Sequence, residues 1–184
     1  MPHLLILASF FLAAFFERTV FDLGPNIELV TLAMLLASAY FGKKESFWLT
    51  FLVIFLSDLV IGNTNIFIFT WSGFLIPALI LPSLFKNHKQ KGIKKIFQGA
   101  FYGAGANFFF FLWTNFGVWL LDSFGMYPKT LAGLISCYIN GIPFWKNQLL
   151  STIIFSLAGL SMAEVLLSLS KKYRLSRSRE HKLI

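Results

Sequence analysis

Asp58 is out of place by type. It sits in FLSDLVIG, inside an apolar run, where a carboxylate is costly unless it faces a cavity or a counter-charge. One reading makes it a contact for a polar ligand. The other makes it an interfacial aspartate that caps a helix end or pairs with Arg18 or Lys129. Glu28, near the start of the preceding apolar run, has the same two readings. Asn107 and Asn115 are eight residues apart, about two helical turns, so they share a face. Asn115 lies one turn from Trp119 and just ahead of a polar segment, where a ligand can reach it. Asn107 reads better as an amide that glues helices together. The stretch 114–148, TNFGVWLLDSFGMYPKTLAGLISCYINGIPFWKNQ, then gathers Tyr127, Lys129, Tyr138, Asn140, Trp145 and Asn147. Ring faces and hydrogen-bond donors in that mix suit a flat ligand with a polar edge, and Lys129 with the amides suits a carboxylated heterocycle. Trp and Tyr also collect at membrane interfaces without any ligand.

Catalytic machinery is absent from this inventory. His3, His88 and His181 fall at the N-terminus, in a basic loop and in a basic tail, so none meets Asp58 or Cys137. No serine has a histidine base on its side of the membrane, and there is no HExxH pair, paired carboxylate or phosphate-binding glycine loop. Cys137 is the only cysteine; it excludes an internal disulfide and reads as a small packing residue. The expectation is a protein that is not an enzyme and holds no cofactor or metal.

The elements that must position these residues are membrane spans. The chain is 57% hydrophobic and 13% charged, about half the charge of a soluble domain, with mean hydropathy +0.70. A span needs roughly 20 apolar residues to cross ~30 Å of hydrocarbon. Six fit: 3–20, 27–41, 47–61, 66–85, 96–121 and 149–169, in a single membrane domain. The first reads as a retained helix rather than a signal peptide, since no Lys or Arg precedes it and AAFFERT is no cleavage site. Pro77 and Pro82 predict a kink or frayed end in the fourth. Between the fifth and sixth, 122–148 reads as an outer loop, interfacial or partly re-entrant, with a short helix over 130–139. A basic tail, 170–184, closes the chain.

Charge sets the orientation. Thirteen of the 16 Lys and Arg residues fall in the two termini and the loops at 43–44 and 86–95, leaving Arg18, Lys129 and Lys146 opposite. That bias places both termini in the cytoplasm of a cell's inner or plasma membrane. It also explains the +8 formal charge without nucleic acid as a partner; the bilayer is the partner these charges address.

Small residues mark close helix contacts. Gly99, Gly103 and Asn107 recur every four residues, and Ala33 and Ala37 repeat the spacing upstream. Such ridges let helices approach closely, within the bundle or against a partner membrane protein.

NIELVTLAMLLASAYFGKKESFWLTFLVIFLSDLVIG resembles the second and third spans of substrate-binding S components of energy-coupling factor (ECF) vitamin transporters. In those proteins an apolar helix ends in a Phe-Gly turn, and the next closes in Asp-Leu and Gly. TNFGVW, YPKTLAGL and CY…IPF together resemble an uncharacterised family of small bacterial integral membrane proteins, itself similar to S components. The resemblance covers 26–150. It implies a compact bundle of six transmembrane helices with an outer-face site for a vitamin-like molecule. It also implies partners: a transmembrane coupling subunit and cytoplasmic ATPases that power uptake. S components carry an Ala-x-x-x-Ala docking motif on span one; here span one lacks that spacing, and Ala33 and Ala37 carry it on span two.

Two functions follow as expectations. One is capture of a vitamin-like small molecule by Asn115, Trp119, Tyr127, Lys129, Tyr138 and Asn140, with Asp58 at the edge. The other is a membrane scaffold of the cell envelope that binds partners through Gly99, Gly103, Ala33 and Ala37.

Overall fold

The computed structural model describes residues 2–21, 23–88, 90–122 and 125–180; the end of the basic tail, 181–184, lies outside them. The described residues form helices and no strand: α1 (Pro2–Phe16), continued by a π-helical turn (Glu17–Phe21), α2 (Val30–Tyr40), α3 (Lys43–Ile61), α4 (Phe67–Asn87), α5 (Ile93–Leu121) and α6 (Leu131–Glu180). Four stretches are long and apolar enough to cross a bilayer: His3–Phe21, Phe67–Asn87, Ile93–Leu121 and Leu131–Tyr173. Their outward residues, such as Leu4, Ile80, Phe101 and Ile154, are exposed and apolar. An apolar exterior of this extent belongs in lipid. The protein is a helical, multi-pass membrane protein.

α2 forms the centre. Gly24, Pro25 and Asn26 interrupt the chain ahead of it, so the helix begins at Val30 rather than at residue 27. At its other end the amides of Phe41 and Gly42 both bond to the Ala37 carbonyl at 3.0 Å. Gly42 stands at φ +135°, a conformation glycine adopts without steric cost, and α3 starts at the next residue. The result is a helix of 11 residues, too short to cross a membrane alone, which packs against every other helix. A helix apolar all round is a buried one. Ala33 and Ala37 are both buried among Ala14 of α1, Leu49 and Val53 of α3 and Phe74 of α4. Their small-residue face is therefore filled by the protein's own helices.

α5 and α6 form an antiparallel hairpin. A Cβ placed on Gly99 would come within 2.1 Å of Leu160, and one on Gly141 within 2.4 Å of the Asn115 amide. The glycines thus set the helix separation along most of the pair. This changes the picture of 122–148. The connecting turn ends at Thr130, and a single helix runs from Leu131 through Pro143 into the last span. Proline removes one helical hydrogen bond, but neighbouring helices can compensate for it. Here Trp145 stacks on Phe111 at 5.0 Å between ring centroids, and the Tyr138 hydroxyl donates to the Leu112 carbonyl at 3.0 Å. α4 likewise runs through both Pro77 and Pro82.

The end of the bundle nearer the lysine-rich loops is clasped by Glu164. Its carboxylate accepts from the Tyr40 hydroxyl (2.8 Å) and the Gly92 amide (3.1 Å). Lys95 lies 3.7 Å from it and 3.6 Å above the Tyr40 ring. One side chain on α6 therefore holds α2 and the start of α5. Glu164→Ala leaves the tyrosine and lysine without their acceptor and is expected to cost about 1–3 kcal/mol. Thermal unfolding in detergent micelles reads this directly; a variant that melts with the parent would show that the clasp does not hold α2.

Candidate functional site

The π-helical turn is the starting point. Single π-helical turns are frequent at functional sites, and here the turn carries Glu17 and Arg18 side by side. The Arg18 guanidinium reaches α3: Nε donates to Ser57 Oγ and Nη2 to Asp58 Oδ1, each at 2.8 Å. The second Asp58 oxygen accepts from Trp71 Nε1 of α4 at 2.7 Å. Asp58 is thus held by a cation and an indole, and of its two sequence readings the ion pair with Arg18 is the one the structure shows. This triangle ties the end of α1 to α3 and α4.

Two more carboxylates gather at the start of α2. Glu17, 3% exposed, accepts from the Leu29 amide at 3.1 Å. Glu28 accepts from the Thr31 amide at 2.9 Å and from the Thr31 hydroxyl at 2.5 Å. α2 has no side-chain bond at its own N-cap residue, so these glutamates satisfy first-turn amides and sit at the positive end of the helix dipole.

Above this group lies a cavity of about 390 Å³, walled by the π-helical turn, the 24–28 loop, and residues of α3, α4, α5 and α6. Its polar lining is Glu17, Arg18, Asn26, Glu28, Thr70, Thr114 and Gln148; Phe74 and Phe110 supply apolar wall, their rings 4.4 Å apart and tilted by 41°. The volume suits a small molecule. Asn147 Nδ2 donates to the Pro25 carbonyl at 3.4 Å, which ties the loop to α6 beside the opening.

Apart from Glu28, the residues singled out from the sequence lie elsewhere. Asn115, Trp119, Tyr127, Lys129, Tyr138 and Asn140 do not line this cavity; they bond among themselves and to backbone at the turn of the α5–α6 hairpin. Trp119 Nε1 donates to the Pro128 carbonyl at 3.0 Å. Lys129 Nζ donates to the carbonyls of Trp119 and Leu120, closing the C-terminal end of α5 as a cation should. Asn140 Nδ2 donates to the Tyr127 hydroxyl at 3.2 Å, and Asn115 Nδ2 to the Phe111 carbonyl at 2.8 Å. Cys137 is buried, with Sγ 3.3 Å from the Asn115 carbonyl. The physical reason is the continuity of α6, which sets these groups along the α5–α6 pair and its turn and away from the cavity. Gly99 and Gly103 lie inside the bundle too, against Leu160 and against Leu35, Thr152 and Ser156.

Asp58 stands one residue behind the cavity, bound to lining residue Arg18. Sequence reasoning weighed Glu28 and missed Glu17, Thr70, Thr114 and Gln148. For Glu17 there was a signal: it is one of only eight acidic residues, at the end of an apolar span. The two threonines and the glutamine carry no such mark. Among the described residues no three of His, Cys, Asp and Glu cluster as metal ligands do.

No curated protein matches this chain, and no solved structure does. Residues 1–175 match a family of unknown function (DUF6580), and with nearly its whole length matched the chain belongs to that family.

Proposed function

We propose that this protein is a substrate-binding membrane subunit, similar to the S components of ECF transporters. It captures a vitamin-like small molecule at the outer face for uptake driven by partner subunits, a coupling protein and ATPases. In this reading all six helices lie within the inner or plasma membrane, both termini are cytoplasmic, and the protein performs no chemistry of its own. The observation that carries the proposal is the cavity. It opens at the end of the bundle away from the lysine-rich loops and is built from six separate parts of the chain. It also concentrates buried polar groups that a mere packing defect would lack. A scaffold working through Ala33, Ala37, Gly99 and Gly103 has less support, because internal packing occupies all four.

Native mass spectrometry of the full chain, gently purified from its own host, tests the proposal. A small molecule should co-purify, and Thr114→Phe, which fills the cavity, should reduce its occupancy by about tenfold or more. Lipid alone on both proteins would overturn capture. Trp119→Ala and Lys129→Ala should leave occupancy unchanged, because they alter the hairpin turn and not the cavity; a loss in either would return the site to that turn.

A further inference from the structure

The cavity's polar atoms are mostly acceptors. Thr70 and Thr114 each donate the hydroxyl proton to the carbonyl one turn back, Ile66 at 3.4 Å and Phe110 at 2.8 Å. Each oxygen therefore keeps only lone pairs to offer. Glu17 and Glu28 are carboxylates. Arg18 is the one cation among the described lining residues, and Asp58 matches its charge at 2.8 Å, with Nε and Nη2 already committed to Ser57 and Asp58. Three carboxyl groups thus stand against one guanidinium.

Besides Asn26, which is exposed, Gln148 is the remaining polar group. It is 5% exposed, lines the cavity, and its side-chain amide has no hydrogen bond among the described residues. Facing the cavity space, this amide can both donate to and accept from a guest. The tilted Phe74 and Phe110 rings offer π-faces, which attract cations as well as carbon frames.

We infer that the cavity takes a small organic cation, an ammonium or protonated nitrogen heterocycle, whose N–H groups donate to Thr70, Thr114 and the glutamates while the Gln148 amide meets its polar edge. The inference rests on the capture reading and names its substrate class. It replaces the carboxylated heterocycle suggested by Lys129, whose ammonium is engaged by backbone carbonyls at the hairpin turn. A carboxylate or phosphate ligand would face two buried carboxylates with a single, already neutralised, cation nearby.

The test uses the full chain in lipid nanodiscs and two probes that share a ring and differ in charge, tryptamine and indole-3-propionate. Native mass spectrometry also records the charge type of whatever small molecule the protein carries from its host. The carried molecule should be a cation, tryptamine should bind at least about tenfold tighter than indole-3-propionate, and Glu17→Gln should lower tryptamine affinity by about tenfold. Gln148→Leu, similar in size and unable to hydrogen-bond, should lower it as well; size-exclusion profiles confirm that both variants fold. A carried anion, or indole-3-propionate binding as well as tryptamine, overturns the cation assignment and leaves capture standing. A protein that carries no small molecule and binds neither probe overturns both.

Discussion

Arg18→Ala is expected to be among the most destabilising single substitutions in this protein, at about 3–5 kcal/mol. The guanidinium bonds to Ser57 and Asp58 in a largely buried setting, with side-chain exposures of 17% for Arg18 and 8% for Asp58. Removing it leaves a buried carboxylate with only the Trp71 indole, and a lone buried charge costs far more than a pair contributes. Two further variants separate the pair from the packing of the arginine stem. Asp58→Asn alone should cost less than Arg18→Ala, because it leaves a neutral amide near a guanidinium that can still reach Ser57. Combining the two should cost less than their sum, since no uncompensated carboxylate remains. Thermal or denaturant unfolding in micelles measures all three. Strict additivity would sink the ion pair as the link between α1 and α3. The same substitution should also disturb the cavity, because Arg18 is part of its wall.

The second large effect belongs to Gly103→Leu. A Cβ at Gly103 would lie 2.8 Å from Leu35 Cδ1, 3.0 Å from Thr152 Cγ2 and 3.1 Å from Ser156 Oγ. All three neighbours are fully buried, and they come from both sides, α2 and α6, so none can move aside without displacing a helix. Leucine adds three carbons beyond that Cβ. Overpacking of this kind costs about 3 kcal/mol, the upper part of its usual range, and should also loosen the α5–α6 pair. Gly105 is the matched control. It lies two residues along the same helix with nothing within 4 Å of its ideal Cβ, so Gly105→Ala should be neutral or gain up to about 1 kcal/mol in helix propensity. Equal melting shifts at the two positions would show that helix propensity, and not the close approach of α2 and α6, controls this region.

These two sites illustrate what kind of information a sequence holds about a membrane bundle. Asp58 and Arg18 were legible as a pair because charges are so few that each has only two or three available counter-ions. Gly103 was legible because helical periodicity is local: small residues four apart must share a face, whatever that face meets. Breaks were legible for the same reason, at Gly24-Pro25-Asn26 and at the Phe41-Gly42 turn, where backbone conformation is set by the residues themselves.

Pro143 marks where local reasoning failed. Proline and a cluster of aromatic and amide residues argue for a loop when read alone. Yet α6 runs on, because α5 stands beside it, and Trp145 and Tyr138 pack and bond across the gap. The identity of that neighbour is not encoded near Pro143. With the loop shortened to a turn, Tyr127 and Lys129 lie in that turn and Asn140 on α6 beside it.

The sequence by itself therefore determined the class of protein, its helical segments, the lysine-rich and lysine-poor ends and the ridges of close contact, since all of these follow from composition and from spacing within one helix. Only the tertiary structure decided where a ligand could sit. Glu17, Glu28, Thr70, Thr114 and Gln148 come from five separate stretches, and only the two glutamates stand out in theirs. What makes them a site is the way a widened turn, a short central helix and a broken loop leave a space between longer helices. That is a property of how the helices pack against one another, and no single segment carries it.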